Sequence, residues 1–106
     1  MSNLNLKQQP ELKDFQAYVR TMVKERNFSN SLGETFLLFL EECGELAKAA
    51  RQESESLTTG NHSEIRNIDH EAADVFIFLL DICNKFDVDL EAAFRAKEEI
   101  NKKRWE

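Results

Sequence analysis

The stretch His70-Glu71-Ala72-Ala73-Asp74-Val75-Phe76-Ile77-Phe78-Leu79-Leu80 decides the fold. It belongs to a broad apolar stripe of Ile65, Ile68, Ala72, Val75, Phe76, Leu79, Ile82, Cys83 and Phe86, which Ile77 and Phe78 extend almost around a helix. A helix apolar on so many sides is expected to be buried on most of them. Inside it, Glu71 and Asp74 stand three residues apart, which turns both carboxylates to one side, about 60° from each other. The same spacing occurs upstream between Glu42 and Glu45, in Leu40-Glu41-Glu42-Cys43-Gly44-Glu45-Leu46. Two such helices face to face gather four carboxylates about one point. Like charges that close repel each other. An all-oxygen donor set of this kind suits a hard cation, magnesium most naturally and manganese as a substitute. Di-iron chemistry in helical bundles usually takes Glu-x-x-His instead, and neither His62 nor His70 stands at that spacing.

Working outward, the chain reads as all-α, with one proline, three glycines and little strand-like alternation. Residues 1–9 are polar and expected to fray. Pro10 suits a first helical turn, and Leu12, Phe15, Val19 and Met22 give a first helix over about 10–27. Ser31-Leu32-Gly33-Glu34 has the form of a capping box. It predicts a second helix from Leu32 to about Gln52, with a core stripe of Phe36, Phe39, Leu40, Cys43, Leu46, Ala47 and Ala50. Glu53 to Asn61 is rich in polar residues and glycine and reads as a mobile linker. The third helix is expected over about Ser63 to Phe86. Asp89 can cap a fourth, which carries Leu90, Ala93, Phe94, Lys97, Ile100, Asn101 and Trp105. The expectation is one domain, a four-helix bundle. Helices 2 and 3 are too apolar for a lone small bundle, so two chains are expected to pack together.

The formal net charge of −6 argues against a nucleic-acid polymer or an anionic membrane as partner. A nucleotide substrate stays open, because a bound divalent cation inverts the local sign. The longest apolar run, Val75 to Leu80, is far too short to span a bilayer. No secretory leader is read, so the cytoplasm is the expected location. Cys43 and Cys83 fall on apolar stripes and read as reduced core residues.

Glu-x-x-Glu alone is usually a solvated helix face. Three features weigh against that here. Leu38 and Ala49 sit among Glu41, Glu42, Glu45 and Lys48 on the polar side of helix 2, and Phe78 sits in the middle of the polar side of helix 3. A water-excluding pocket accounts for such placements. The carboxylates of a helix buried on most sides need a cation or a proton. Gly44, inside helix 2, costs about 1 kcal/mol relative to alanine, which is often accepted for close approach of a helix or ligand.

At these residues the chain resembles the MazG-like nucleoside triphosphate pyrophosphohydrolases of the all-α NTP-pyrophosphatase superfamily. The matching pattern is EExxE, here Glu41 to Glu45, followed by ExxD, here Glu71 to Asp74. Glu42 to Lys48 is similar to the family's EVGELAE stretch, Glu71 to Asp89 to its ELGDVLFYLLxLANxLGIDL stretch, and Lys97, Asn101 and Arg104 to its trailing KxxxNxxR. Arg26-Asn27-Phe28 resembles an RDW-like segment, with Phe28 where some relatives have tryptophan. Most of residues 26–105 is covered.

The resemblance implies a dimerising helical bundle, sometimes paired again into tetramers. It implies hydrolysis of a nucleoside triphosphate between its α and β phosphates. Glu42, Glu45, Glu71 and Asp74 are then the metal ligands. Glu41 positions or deprotonates the attacking water, or is simply solvated. Lys97 and Asn101, with Arg104 beyond them, are donors suited to phosphate oxygens. Phe78, one turn beyond Asp74, and Phe28 are candidates for the base pocket. Trp105 is expected on the partner chain or on helix 1. Phosphoribosyl-ATP hydrolysis and a non-enzymatic helical dimer are the alternatives.

Overall fold

The computed structural model describes residues 2–54 and 66–105. Among them are four α-helices and no strand: α1 Leu12–Glu25, α2 Leu32–Ser54, α3 Asn67–Lys85 and α4 Leu90–Arg104. The all-α expectation holds. The chain divides into two compact units, Met1–Ser29 with Leu80–Glu106, and Asn30–Leu79.

In the first unit, α1 begins after Glu11, whose N–H donates to the Asp14 carboxylate at 2.8 Å. That bond holds the Asp14 carboxyl below its ordinary range. Pro10 therefore lies before the helix rather than in its first turn. α1 stops at Glu25 because Asn27 turns left-handed (φ 55°), while Phe28 N–H reaches the Val23 carbonyl at 3.0 Å. α3 ends the same way: Asp87 is left-handed (φ 54°) and Val88 N–H donates to the Cys83 carbonyl at 2.8 Å. A residue with a Cβ is disfavoured there and glycine is not. Asp87→Gly is expected to raise stability by about 0.5–1 kcal/mol, read as a higher denaturation midpoint at unchanged slope.

Gln16 ties this unit together although it is 7% exposed. Its Nε2 donates to Asn84 Oδ1 at 3.0 Å and to the Val88 carbonyl at 2.8 Å. Its Oε1 accepts the Leu90 N–H at 3.0 Å, and its own carbonyl accepts Asn84 Nδ2 at 2.9 Å. The core around it contains Val19, Met22, Leu80 and Cys83. Asp81 is buried and satisfied by Lys85 Nζ at 2.7 Å. Asp89 caps α4 as expected, accepting the Ala92 N–H at 3.1 Å. The polar N-terminal segment has no helix, yet it is fixed at two points: Asn3 N–H donates to Glu25 Oε2 at 3.0 Å and Lys7 pairs with Asp14 at 3.3 Å. Trp105 is 89% exposed, so it does not pack on α1.

In the second unit, Ser31 caps α2, its Oγ accepting the Glu34 N–H at 3.3 Å. α2 runs to Ser54 and so takes in the start of the expected linker; residues 55–65, including the expected start of the third helix, lie outside the described residues. The stripe on α2 is corrected. Thr35 and Ala49 are its buried residues, whereas Phe36 (41% exposed), Leu40 (61%), Ala47 and Ala50 face outward. Phe36 to Leu40 are apolar without a break and encircle the helix, so periodicity did not select a side. At the start of α3, Asp69 accepts the Arg66 N–H at 2.9 Å and pairs with its guanidinium, which also lies 3.7 Å from Glu53. The Arg66 backbone bond, more than the charge, holds the Asp69 carboxyl down. Cys43 and Cys83 are free thiols. Among the described residues, no helix is long and apolar enough to cross a membrane.

Candidate metal centre

Thr35, Glu42 and Ala49 stand seven residues apart on α2, two turns each, and so share one face. Two of them are buried and Glu42 is half-buried. The side that holds Glu42 among Leu38 and Ala49 is thus the inward one. Thr35 was not part of the sequence pattern; the seven-residue spacing from Glu42 is the signal for it. On α3, Glu71 and Asp74 are both half-buried, one turn apart. One carboxylate oxygen from each of Glu42, Glu71 and Asp74 lies within 4.8 Å of the others.

Three carboxylates that close carry like charge into one place. Glu42 is pushed above the ordinary glutamate range, first by burial, then by the charges of Asp74, Glu71, Glu41 and Glu45 in that order. The folded chain therefore holds a proton on Glu42 more tightly than the unfolded chain does. Stability falls as pH rises from the ordinary value through the raised one, and the penalty is complete above it. Glu42→Gln carries no charge at any pH. It is expected to stabilise the metal-free chain at neutral pH by about 0.5–1 kcal/mol, the size of a few like-charge contacts. The gain should vanish at acid pH, where both forms are neutral; urea titrations at pH 4 and pH 7 measure it. A gain that persists at pH 4 would refute electrostatic repulsion as its cause.

The donor set is all carboxylate oxygen, which fits a hard divalent cation. Glu45 and Glu41 are exposed and lie outside the close trio, although both still raise Glu42. Phe78 is half-buried on α3 in the same unit. Lys97, Asn101 and Arg104 are carried by α4, and Phe28 follows α1, all in the other unit; of these, Lys97 and Arg104 are exposed and Asn101 and Phe28 half-buried. Among the described residues nothing approaches Gly44 closely: a Cβ built there meets nothing within 4 Å. No protein-family model and no curated protein matches this chain.

Proposed function

We propose that this chain is a magnesium-dependent nucleoside triphosphate pyrophosphohydrolase of the all-α, MazG-like kind, cleaving between the α and β phosphates to give a monophosphate and pyrophosphate. The observation that carries the proposal is the approach of Glu42, Glu71 and Asp74 within 4.8 Å from two helices. A triphosphate, itself highly anionic, has no reason to enter an acidic cluster without a cation. When bound, the cation neutralises phosphate charge and lowers the pKa of a coordinated water. Glu42, Glu71 and Asp74 hold it, with Glu45 as the fourth carboxylate once the site is loaded. Glu41 takes the proton of the attacking water. Lys97, Asn101 and Arg104 are the donors suited to phosphate oxygens, and Phe78 and Phe28 the rings suited to a base.

The exposed face of α2 supports self-association. Leu37 (69% exposed) and Leu40 (61%) stand there beside Phe36, and such a row is the kind of surface that a second copy covers. A homodimer or homotetramer in the cytoplasm, cleaning the nucleotide pool, completes the proposal.

The test is product analysis with a panel of ribo- and deoxynucleoside triphosphates and phosphoribosyl-ATP, each with magnesium or manganese. Equimolar monophosphate and pyrophosphate from a nucleoside triphosphate is the expected result. Turnover of phosphoribosyl-ATP alone would reassign the substrate. No product from any of them would leave a non-enzymatic helical module.

A further inference from the structure

Rotation of α2 decides which of its carboxylates meets α3. Glu42 and Glu45 stand about 60° apart around the helix. Glu42 lies within 4.8 Å of Glu71 and Asp74, whereas Glu45 is exposed. Like charge on the two helices pushes Glu42 outward again, so a group that fixes the rotation of α2 also fixes the donor set. Glu53 is placed for this. It follows Glu42 by eleven residues, which is three turns and about 20°, and continues the inward stripe of Thr35, Glu42 and Ala49. Facing Glu53 is Arg66, the residue before α3, with Nη1 at 3.7 Å from Glu53 Oε2. From Glu42 to Glu53 on α2, the partners step back from Glu71 and Asp74 to Arg66. The two helices therefore run antiparallel, and both contacts belong to one seam. Arg66 is also tied to α3: Asp69 accepts its N–H at 2.9 Å and lies 3.6 Å from Nη2. The planar guanidinium thus spans two carboxylates, one on each helix. All three residues are half-buried. Lys48 and Arg51, the cations nearest in sequence on α2, are exposed and stand about 140° and 160° round the helix from Glu53.

We propose that Arg66 is a positioning residue for the metal centre: by drawing Glu53 toward α3 it holds α2 at the rotation that turns Glu42 to Glu71 and Asp74. This role rests on the centre proposed above. A part-exposed ion pair adds little to overall stability. What it supplies here is direction. Glu53 is in line with Glu42 and about 80° round from Glu45, so the pull on Glu53 favours Glu42 as the inward carboxylate. The attraction at one end of the seam opposes the repulsion among the three carboxylates about 16 Å along α2.

Manganese alone tests it, with the free ion counted by electron paramagnetic resonance while the full chain is titrated at constant ionic strength. Arg66→Gln, Glu53→Gln and the double variant are each expected to bind manganese about 10-fold more weakly than the wild type, the low end of what loss of an orienting partner costs a metal site. The double should be no worse than either single, because all three cut the same link. Charge acting at a distance gives a different pattern. Removing the Arg66 cation would tighten binding of a cation, removing the Glu53 anion would weaken it, and the double would return to the wild-type value. Glu53→Asp keeps the charge and withdraws the carboxylate by one methylene, so it should weaken binding by about threefold, and it carries the test if Arg66→Gln does not fold. Circular dichroism and urea midpoints close to wild type separate the effect from unfolding. Tighter or unchanged binding by Arg66→Gln, a double variant at wild-type affinity, or Glu53→Asp at wild-type affinity would overturn the positioning role and leave the centre standing. No manganese binding by the wild type would overturn the centre and the role with it.

Discussion

Asp74→Asn is expected to lower the proposed magnesium-dependent hydrolysis by more than about 100-fold, because it removes the charge of one of the three carboxylates that lie closest together. Its oxygen lies within 4.8 Å of those of Glu42 and Glu71, so its charge is one that the other two feel. Asparagine keeps the shape of the side chain and removes the charge. In the metal-free protein this relieves repulsion on Glu42, to which Asp74 contributes most after burial. The melting temperature without metal should therefore stay level or rise, while the increase that the proposed centre predicts for the wild type with magnesium should be absent. Loss of activity with an intact apo fold separates ligand loss from misfolding. Glu45→Gln provides the contrast. Glu45 is exposed and outside the close trio, so its loss should cost about 10-fold or less. Hydrolysis by Asp74→Asn within about threefold of wild type would remove this centre from the reaction.

Gln16→Ala is expected to destabilise the fold by about 2–3 kcal/mol. The side chain is 7% exposed and makes three hydrogen bonds, to Asn84 Oδ1, the Val88 carbonyl and the Leu90 N–H. Truncation leaves the last two without these partners at the junction between α3 and α4, and each part-buried orphan costs about 1–3 kcal/mol. For a chain of this length the melting temperature should fall by about 10 °C. Arg20→Ala removes the 3.1 Å bond from Arg20 Nη2 to Asn84, which is solvent-exposed, and should cost no more than about 0.5–1 kcal/mol. Equal effects from the two substitutions would show that burial of Gln16 is not what gives its bonds their weight.

Much of this was legible along the chain. The helix starts at Leu32 and Leu90 followed from Ser31 and Asp89, because a cap is a bond between residues three apart. The inward turn of Glu42 was legible from Leu38 and Ala49, which make no sense on a solvated face. The ends of α1 and α3 were less so, because Asn27 and Asp87 end helices through a left-handed backbone that glycine signals more plainly. The core side of α2 was legible only in part: Phe39, Cys43 and Leu46 of the expected stripe are half-buried, while Phe36 and Leu40 are exposed.

What the sequence determined by itself is local: an all-helical chain, the caps, and two acidic pairs each one turn long. These depend on contacts within a few residues, and helical periodicity fixes them. The tertiary structure decided what depends on residues far apart in the chain. It chose Thr35 and Ala49 over Phe36 and Leu40 as the buried side of α2, and it gave Gln16 its partners at 84, 88 and 90. It brought Glu42 together with Glu71 and Asp74 and left Glu45 exposed. Spacing places two carboxylates on one side of a helix. The rotation of that helix against its neighbour decides which of them meets the other pair.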